Sequence, residues 1–136
     1  IELTAHARSG DFDLSASYAY SHSEVKAPGA AFDGFMPSQT PRHAASATLA
    51  WAPAAGPALS TTLRYVSKQY EDDLQTDALP GALTVDAVAR LPLGHGVSLV
   101  GRAENLFDKN VVTRNAGGSM DLGTPRTLWI GIRFVG

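Results

Sequence analysis

Chemistry in this 136-residue chain would have to come from its titratable and nucleophilic side chains, and four histidines come first. His6, His22, His43 and His95 lie far apart, with no His-x-x-x-His pair to grip a metal ion, so each reads as a turn residue or an interfacial aromatic. Cysteine is absent, which excludes a thiolate metal site and a disulfide framework. No serine sits in a Gly-x-Ser-x-Gly elbow suited to acyl transfer. The stretch NAGGSMDLG at 115–123 lacks the lysine and the strand-to-helix setting of a phosphate-binding loop and reads as a mobile loop. Glu71, Asp72, Asp73 and Asp77 offer oxygens, but not at the alternate positions of a calcium loop. They read as a solvated loop that repels anions. Arg102 and Glu104 stand two apart and can pair along one strand face, whereas no two carboxylates are spaced as a recognisable acid/base couple. The expectation is a protein that is not an enzyme and carries no cofactor.

The elements that must position these residues are strands. Over 12–22 the even positions Phe12, Leu14, Ala16, Tyr18 and Tyr20 are oily, while Asp13, Ser15, Ser17 and Ser21 alternate with them. The same two-residue period runs through 43–52, 59–70, 82–93, 97–107 and 126–134, with a partial strand at 2–8, giving seven strands. Each full strand is long enough for a membrane crossing of about 9–11 residues. Helical periodicity is missing over any useful length, and no apolar run approaches the roughly 18 residues of a transmembrane helix.

Connections alternate between short and long. The short ones read RSGD (8–11), APAAGP (52–57) and PLGHG (92–96); the long ones cover 23–42, 68–81 and 108–125. Up-and-down strand order then places every short turn at one end and every long loop at the other, the asymmetry of outer-membrane barrels.

Composition is compatible with this. The charged fraction of 18% is low against about 25% for soluble domains, and a net charge of −2 argues against nucleic acid as a partner. The chain opens on IELTAHARSG, without an initiator Met or a signal-peptide pattern, and reads as a mature piece or a fragment.

Alternation alone does not say whether the oily face points into a core or out into lipid. Three features favour lipid. The polar face carries Arg64, Lys68, Arg90, Arg102, Glu104 and Arg133 as a wet lumen would, and Arg64, Arg90, Arg102 and Glu104 form the candidate lumen network. Tyr18, Tyr20, Trp51, Tyr65, Phe107 and Phe134 stand toward strand ends, as in interfacial girdles. The oily face is also rich in alanine, which lipid accepts more readily than a jigsaw core does.

Two C-terminal stretches, VSLVGRAENLFDKNVV (97–112) and GTPRTLWIGIRF (123–134), together resemble the end of TonB-dependent outer-membrane receptors. In that family the penultimate strand ends in an Asn-Leu-Phe-Asp run, here Asn105, Leu106, Phe107 and Asp108. A Pro-Arg-Thr lead-in to the last strand follows, here Pro125, Arg126 and Thr127. QTPRHAASATLAW (39–51) and RYVSKQYEDD (64–73) are similar to other loop-to-strand transitions of the family.

The resemblance implies an antiparallel up-and-down transmembrane β-barrel segment, seven strands from the last third of a barrel of about 22. The whole of 1–136 would be C-terminal barrel, with no plug domain in it. It would lie in the outer membrane of a Gram-negative cell, among outer-membrane lipid, with its C-terminus in the periplasm. Substrates would be scarce nutrients of the siderophore-iron, cobalamin, haem or glycan class, the individual small molecule being unknown. The energy-transducing TonB complex would act only through the missing plug, and the segment alone would not transport. The final strand would pair with the first to remove the exposed edge. It would be read by the barrel-assembly machinery through Gly131, Ile132 and Phe134, although Val135 and Gly136 follow where the pattern ends on the aromatic. The alternatives are a small stand-alone structural or adhesive barrel, against which an odd strand count speaks, and a soluble β-sandwich binding domain.

Overall fold

The computed structural model describes residues 1–135. Its strands, in chain order, are β1 (Glu2–Ser9), β2 (Phe12–Tyr20), β3 (His43–Trp51), β4 (Ala58–Val66), β5 (Gln69–Tyr70), β6 (Ala78–Leu79), β7 (Ala82–Gly94), β8 (Val97–Glu104), β9 (Val112–Ala116), β10 (Ser119–Leu122) and β11 (Thr127–Phe134). Seven of them form one antiparallel sheet in the order β1-β2-β3-β4-β7-β8-β11, so each strand lies beside the next sheet strand in the chain. The pairs β5/β6 and β9/β10 are small hairpins inside two long loops.

Register converts the two-residue period into two continuous faces, because directly opposed residues point the same way. One row runs Ala7, Leu14, Leu49, Thr61, Ala87, Ala103, Leu128, from the first strand to the last. The next runs Ser9, Phe12, Trp51, Leu59, Ala89, Gly101, Ile130. Among the described residues no Asp, Glu, Lys or Arg of the sheet stands on this face. Every sheet carboxylate, lysine or arginine is on the other. Apart from one irregularity between Pro92 and Gly94 beside the β7/β8 turn, the registers match from strand to strand, so no strand has slipped; a one-residue slip would move its whole oily set to the polar side.

The sheet is a single layer. Leu79 is the buried hydrophobic residue among those described, and it lies in the β5/β6 hairpin, while Ile130 and Ile132 on the last strand are 79% and 77% exposed. A β-sandwich would cover one face with a second sheet; this architecture has none, and that alternative is set aside. The oily face must therefore be covered by something outside the chain.

Three strands end two or more residues earlier than the alternation predicts: at Tyr20 rather than 22, at Val66 rather than 70, and at Glu104 rather than 107. The reason is clearest at β8, where Asn105 adopts the left-handed conformation (φ 49°) and its N–H bonds to the Asp86 side chain instead of a ladder carbonyl. The alternation of side chains continues past that point, but the backbone leaves the sheet. Asn-Leu-Phe-Asp is therefore a turn rather than a strand end, and Phe107, expected in a girdle, is 75% exposed on that turn.

The stretch read as a mobile loop holds the β9/β10 hairpin. Its two-residue turn is Gly117–Gly118, both at positive φ (60° and 84°), which is the glycine-demanding geometry of a tight hairpin. Positive φ also recurs at Gly94, His95 and Gly96 between β7 and β8. There the backbone of Val135 donates to the Gly96 carbonyl at 2.9 Å, so pairing continues one residue past β11. Gly136 lies outside the described residues.

Candidate functional site on the polar face and its long-loop end

Asp86 is the centre of the polar face. Its neighbour on β4 is Thr62, and Arg64 reaches it diagonally to form an ion pair with Oδ2. The second oxygen, Oδ1, accepts the Asn105 N–H at 2.9 Å. One carboxylate thus ties β4 to the point where β8 leaves the sheet. Asn105 is 6% exposed and spends its whole amide on the loop that follows. Nδ2 donates to the carbonyls of Lys109 (2.9 Å) and Thr124 (3.0 Å), and Oδ1 accepts the Lys109 N–H at 2.8 Å. Both stems of the 105–126 loop are held by this one side chain.

The remaining motif residues join it. Leu106 donates its N–H to the Val85 carbonyl (2.8 Å) and Asp108, itself at φ 54°, accepts the Arg126 N–H on Oδ1 at 2.9 Å. Thr127 opens β11 and its hydroxyl donates to the Pro125 carbonyl at 3.1 Å. Asn and Asp are the residues that tolerate the left-handed region best after glycine, which explains their places in the turn.

The four candidate lumen residues divide into separate groups. Arg102 pairs with Glu104 on the same strand, and Arg64 pairs with Asp86. Arg90 stands opposite Ala58 and Val100 and, among the described residues, joins neither pair. Lys68, expected mid-strand, is beyond the end of β4, with its ammonium 4.7 Å from the centre of the Tyr70 ring. Asp86, not singled out from the sequence, is what connects the polar face to the motif. Its place between Thr84 and Arg90 on one face was visible, but its partners depended on register. Trp129 also faces the polar side, opposite Arg102.

The histidines have different surroundings. His6 pairs with Asp13 across β1 and β2 on the polar face at 3.1 Å, and so is neither a turn nor an interface residue. His22 lies 3.5 Å from Glu24 in the first long loop, and His95 is in the β7/β8 turn. His43 stands at the long-loop end of the oily face, where Nδ1 meets the Tyr18 hydroxyl at 2.8 Å and the ring stacks on Tyr18 and tilts against Tyr20. Among the described residues no three His, Asp or Glu side chains come close enough to share a metal ion.

The long loops are stitched together. Ser38 N–H donates to Asp73 Oδ1 (3.0 Å), Gln39 N–H to the Tyr70 carbonyl (2.7 Å), and Gln39 Nε2 to Glu71 Oε1 (3.1 Å). Asn115 Nδ2 donates to the Ala78 carbonyl at 3.2 Å and links the β9/β10 hairpin to β6. Asp72 accepts the backbone N–H groups of Asp77 (2.7 Å) and Thr76 (3.3 Å), which closes the turn between β5 and β6. The backbone N–H of Asp77, with help from Thr76, holds the Asp72 carboxyl below the usual aspartate range. The acidic run is thus a set of turn and loop clasps, not a freely solvated cluster. In the last strand, Gly131 faces the polar side opposite Val100, and Ile132 and Phe134 lie on the oily face.

A charge-free face, a polar face with paired ions, and loops sorted by length to opposite ends define one stretch of wall in an up-and-down β-barrel. The sequence matches the family described as TonB dependent receptor-like, beta-barrel, over residues 1–106, and the chain belongs to that family. It is a family of receptors and transporters, not of enzymes. Solved structures share the fold. The siderophore receptor PiuA from Acinetobacter baumannii superposes with a TM-score of 0.86 at 22% identity over 98% of this chain and 21% of its own. The ferric yersiniabactin uptake receptor FyuA from Yersinia pestis gives 0.84 at 19% identity, over 98% of this chain and 22% of its own. BauA, the ferric preacinetobactin receptor from A. baumannii, gives 0.78 at 24% identity, over 91% and 20%. The chain therefore spans about a fifth of the length of these receptors. A comparison with curated protein sequences gives no match.

Proposed function

We propose that the chain is the C-terminal part of the barrel wall of a TonB-dependent receptor that imports a scarce nutrient across the outer membrane. The observation that carries this is the oily face, free of acidic, lysine and arginine side chains through all seven strands among the described residues. In lipid every backbone group must find a partner, so the outer strands β1 and β11 pair with other strands of the same barrel. The segment alone does not transport. All three of the similar receptors above are named for siderophores or ferric chelates, which supports iron-chelate import over cobalamin, haem or glycan import.

In this reading the short turns and the C-terminus are periplasmic and the three long loops extracellular. Gly131, Ile132 and Phe134 are offered to the barrel-assembly machinery as the strand is delivered. Contact with the TonB complex belongs to a plug outside the 136 residues.

These 136 residues contain no cysteine, so the test uses a receptor whose remaining part is also free of reactive cysteine. Ser119→Cys, in the β9/β10 hairpin, and Ala55→Cys, in the β3/β4 turn, are introduced separately and whole cells are treated with a membrane-impermeant maleimide. Labelling of Ser119→Cys alone supports the topology. Labelling of Ala55→Cys in intact cells, or recovery of the protein outside the outer-membrane fraction, overturns it.

A further inference from the structure

Toward the short-turn end the polar face changes character. A shallow hollow of about 350 Å³ is lined there by Arg90 of β7 and Arg133 of β11, together with Ser60, Val88 and Val100. We propose that this part of the wall docks an acidic segment of the receptor's own chain that lies outside residues 1–136. The proposal rests on the barrel-wall reading above and names what meets β7, β8 and β11 on their polar side.

Charge decides the sign of the partner. Among the described residues neither Arg90 nor Arg133 forms an ion pair, and the nearby carboxylates of the same face are committed. Asp86 is held by Arg64 and the Asn105 N–H, Glu104 by Arg102, and Asp13 by His6 at 3.1 Å, with Arg8 directly opposite Asp13. Glu2, the remaining sheet carboxylate, stands opposite Ala19 at the long-loop end of β1. Two guanidiniums are therefore left over, and their paired N–H donors fit the geometry of carboxylates.

Register sets the spacing. Arg90 is level with Val100 and Gly131, whereas Arg133 is level with Ser98 and Pro92, one step nearer the turn and two strands away. Strand spacing and rise put their Cα atoms about 12 Å apart, the span of about four residues in an extended chain. Water alone could hydrate two arginines, but it suits Trp129 poorly. This indole stands on the same face, opposite Arg102 and four residues up β11 from Arg133, and is 61% exposed. Exposed tryptophan beside arginine is the composition of interface hot spots.

The partner is a protein segment because the other candidates lie elsewhere. Lipid covers the opposite, charge-free face. The chain spans about a fifth of the length of the similar receptors, so most of such a protein is available to supply the segment. Docking is also confined to one side of the wall. On β3 the polar face carries no charged side chain; Ser46 pairs with Ser17 and Thr48 with Thr62 through hydroxyls at 2.9 Å each. That stretch satisfies itself and serves as the control.

Complete receptor carrying Arg90→Lys, Arg133→Lys or Ser46→Lys is purified in detergent and treated with a water-soluble carbodiimide, which joins an ammonium to a carboxylate in direct contact. Peptides amide-linked at positions 90 and 133 are expected to come from outside residues 1–136 and to carry Asp or Glu. Their yield should exceed that at position 46 by at least about tenfold, as for groups held at high effective concentration. Arg90→Glu with Arg133→Glu should then lower the amide-exchange protection of the linked segment by at least about tenfold, while Arg90→Lys with Arg133→Lys keeps it. Absence of a link at both positions, links only to carboxylates within residues 1–136, an equal yield at position 46, or unchanged protection after charge reversal each overturns the docking site. If the cysteine labelling holds while one of these results appears, only the docking site falls; if the labelling fails, the barrel-wall reading falls with it.

Discussion

Asp86 and Asn105 meet where the penultimate sheet strand leaves the sheet: a carboxylate oxygen of the first accepts the backbone N–H of the second at 2.9 Å. The other oxygen of Asp86 holds Arg64, so a charge pair on the polar face sets the position of a turn at the barrel rim. Asp86→Asn keeps the acceptor for Asn105 and loses only the ion pair, in which Arg64 is more than half exposed. It is expected to cost under about 1 kcal/mol. Asp86→Ala also leaves the Asn105 N–H without its partner and is expected to cost about 1–3 kcal/mol. Urea midpoints of the folded barrel in lipid vesicles compare the two; equal midpoints would remove Asp86 from its role at the turn.

Asn105 fixes both stems of the third long loop, so its loss is felt there first. Asn105→Gly preserves the left-handed backbone and removes three side-chain hydrogen bonds. At about 1 kcal/mol each, the local loss is about 2–4 kcal/mol. Exchange of the Lys109 amide is expected to rise by at least about tenfold, and trypsin to cut at Lys109 or Arg114 under conditions that spare the unmodified protein. Protection unchanged in Asn105→Gly would show that the loop is held by its other contacts.

The two faces of β4 differ in what they tolerate, although adjacent residues are a single step apart. Leu63 is on the oily face, opposite Ala47 and Val85, and Thr62 is on the polar face, opposite Thr48 and Asp86. Leu63→Arg is expected to cost about 2–4 kcal/mol when placed near the bilayer midplane, while Thr62→Arg is accepted on the wet side. Heat-modifiable migration and the yield of outer-membrane protein report the difference. Comparable loss from both would mean that the oily face does not meet lipid.

How much of this was legible depends on the range of the interaction. The faces could be read from the sequence because a strand repeats every two residues, and Leu14, Leu49, Ala87 and Leu128 fall in one row as their alternation implies. Strand ends were harder. The alternation through Phe107 continued beyond β8 because side-chain pattern does not report backbone φ, and Asn105 turns left-handed for the sake of partners at 86, 109 and 124. The β9/β10 hairpin carries a local signal, Gly117–Gly118 between short runs of alternating residues, that in sequence is indistinguishable from a glycine-rich mobile loop. The seam between the loops carried none. Ser38 and Asp73 are 35 residues apart, and only the fold places them 3.0 Å from each other. Arg64, Arg90, Arg102 and Glu104 share one face as their alternation implies, but Asp86 could be matched to Arg64 only once register had fixed the diagonal.

Gly96 answers for the C-terminal edge. Its φ is +75°, and a Cβ built there would run into the Val135 carbonyl, so alanine is strained by both backbone and contact. Gly96→Ala is expected to break the Val135 N–H bond to the Gly96 carbonyl and loosen the end of β11, with slower assembly into the outer membrane than unmodified protein. Gly94→Ala shares the positive φ (96°) but meets no atom within 4 Å. A greater defect in Gly94→Ala than in Gly96→Ala would assign the effect to the turn and not to the closing strand.

Acid should open the β5/β6 loop before it affects the sheet. The Asp72 carboxyl is held below the usual aspartate range, mainly because the Asp77 N–H, aided by Thr76, donates to its charged form. A carboxyl with a folded pKa below its unfolded one adds stability that is full above the unfolded pKa and is lost as pH falls through the folded one. The clasp is therefore constant from neutrality down to about pH 4–5 and weakens below that. Asp72→Asn removes the charge at every pH. It is expected to show at pH 7 the faster exchange of the Thr76 and Asp77 amides that the unmodified loop shows only in acid, after correction for intrinsic exchange rates. Acid-induced opening of the same size in Asp72→Asn would place the titrating group elsewhere in the loop, with Glu71 and Asp73 the next carboxylates to replace.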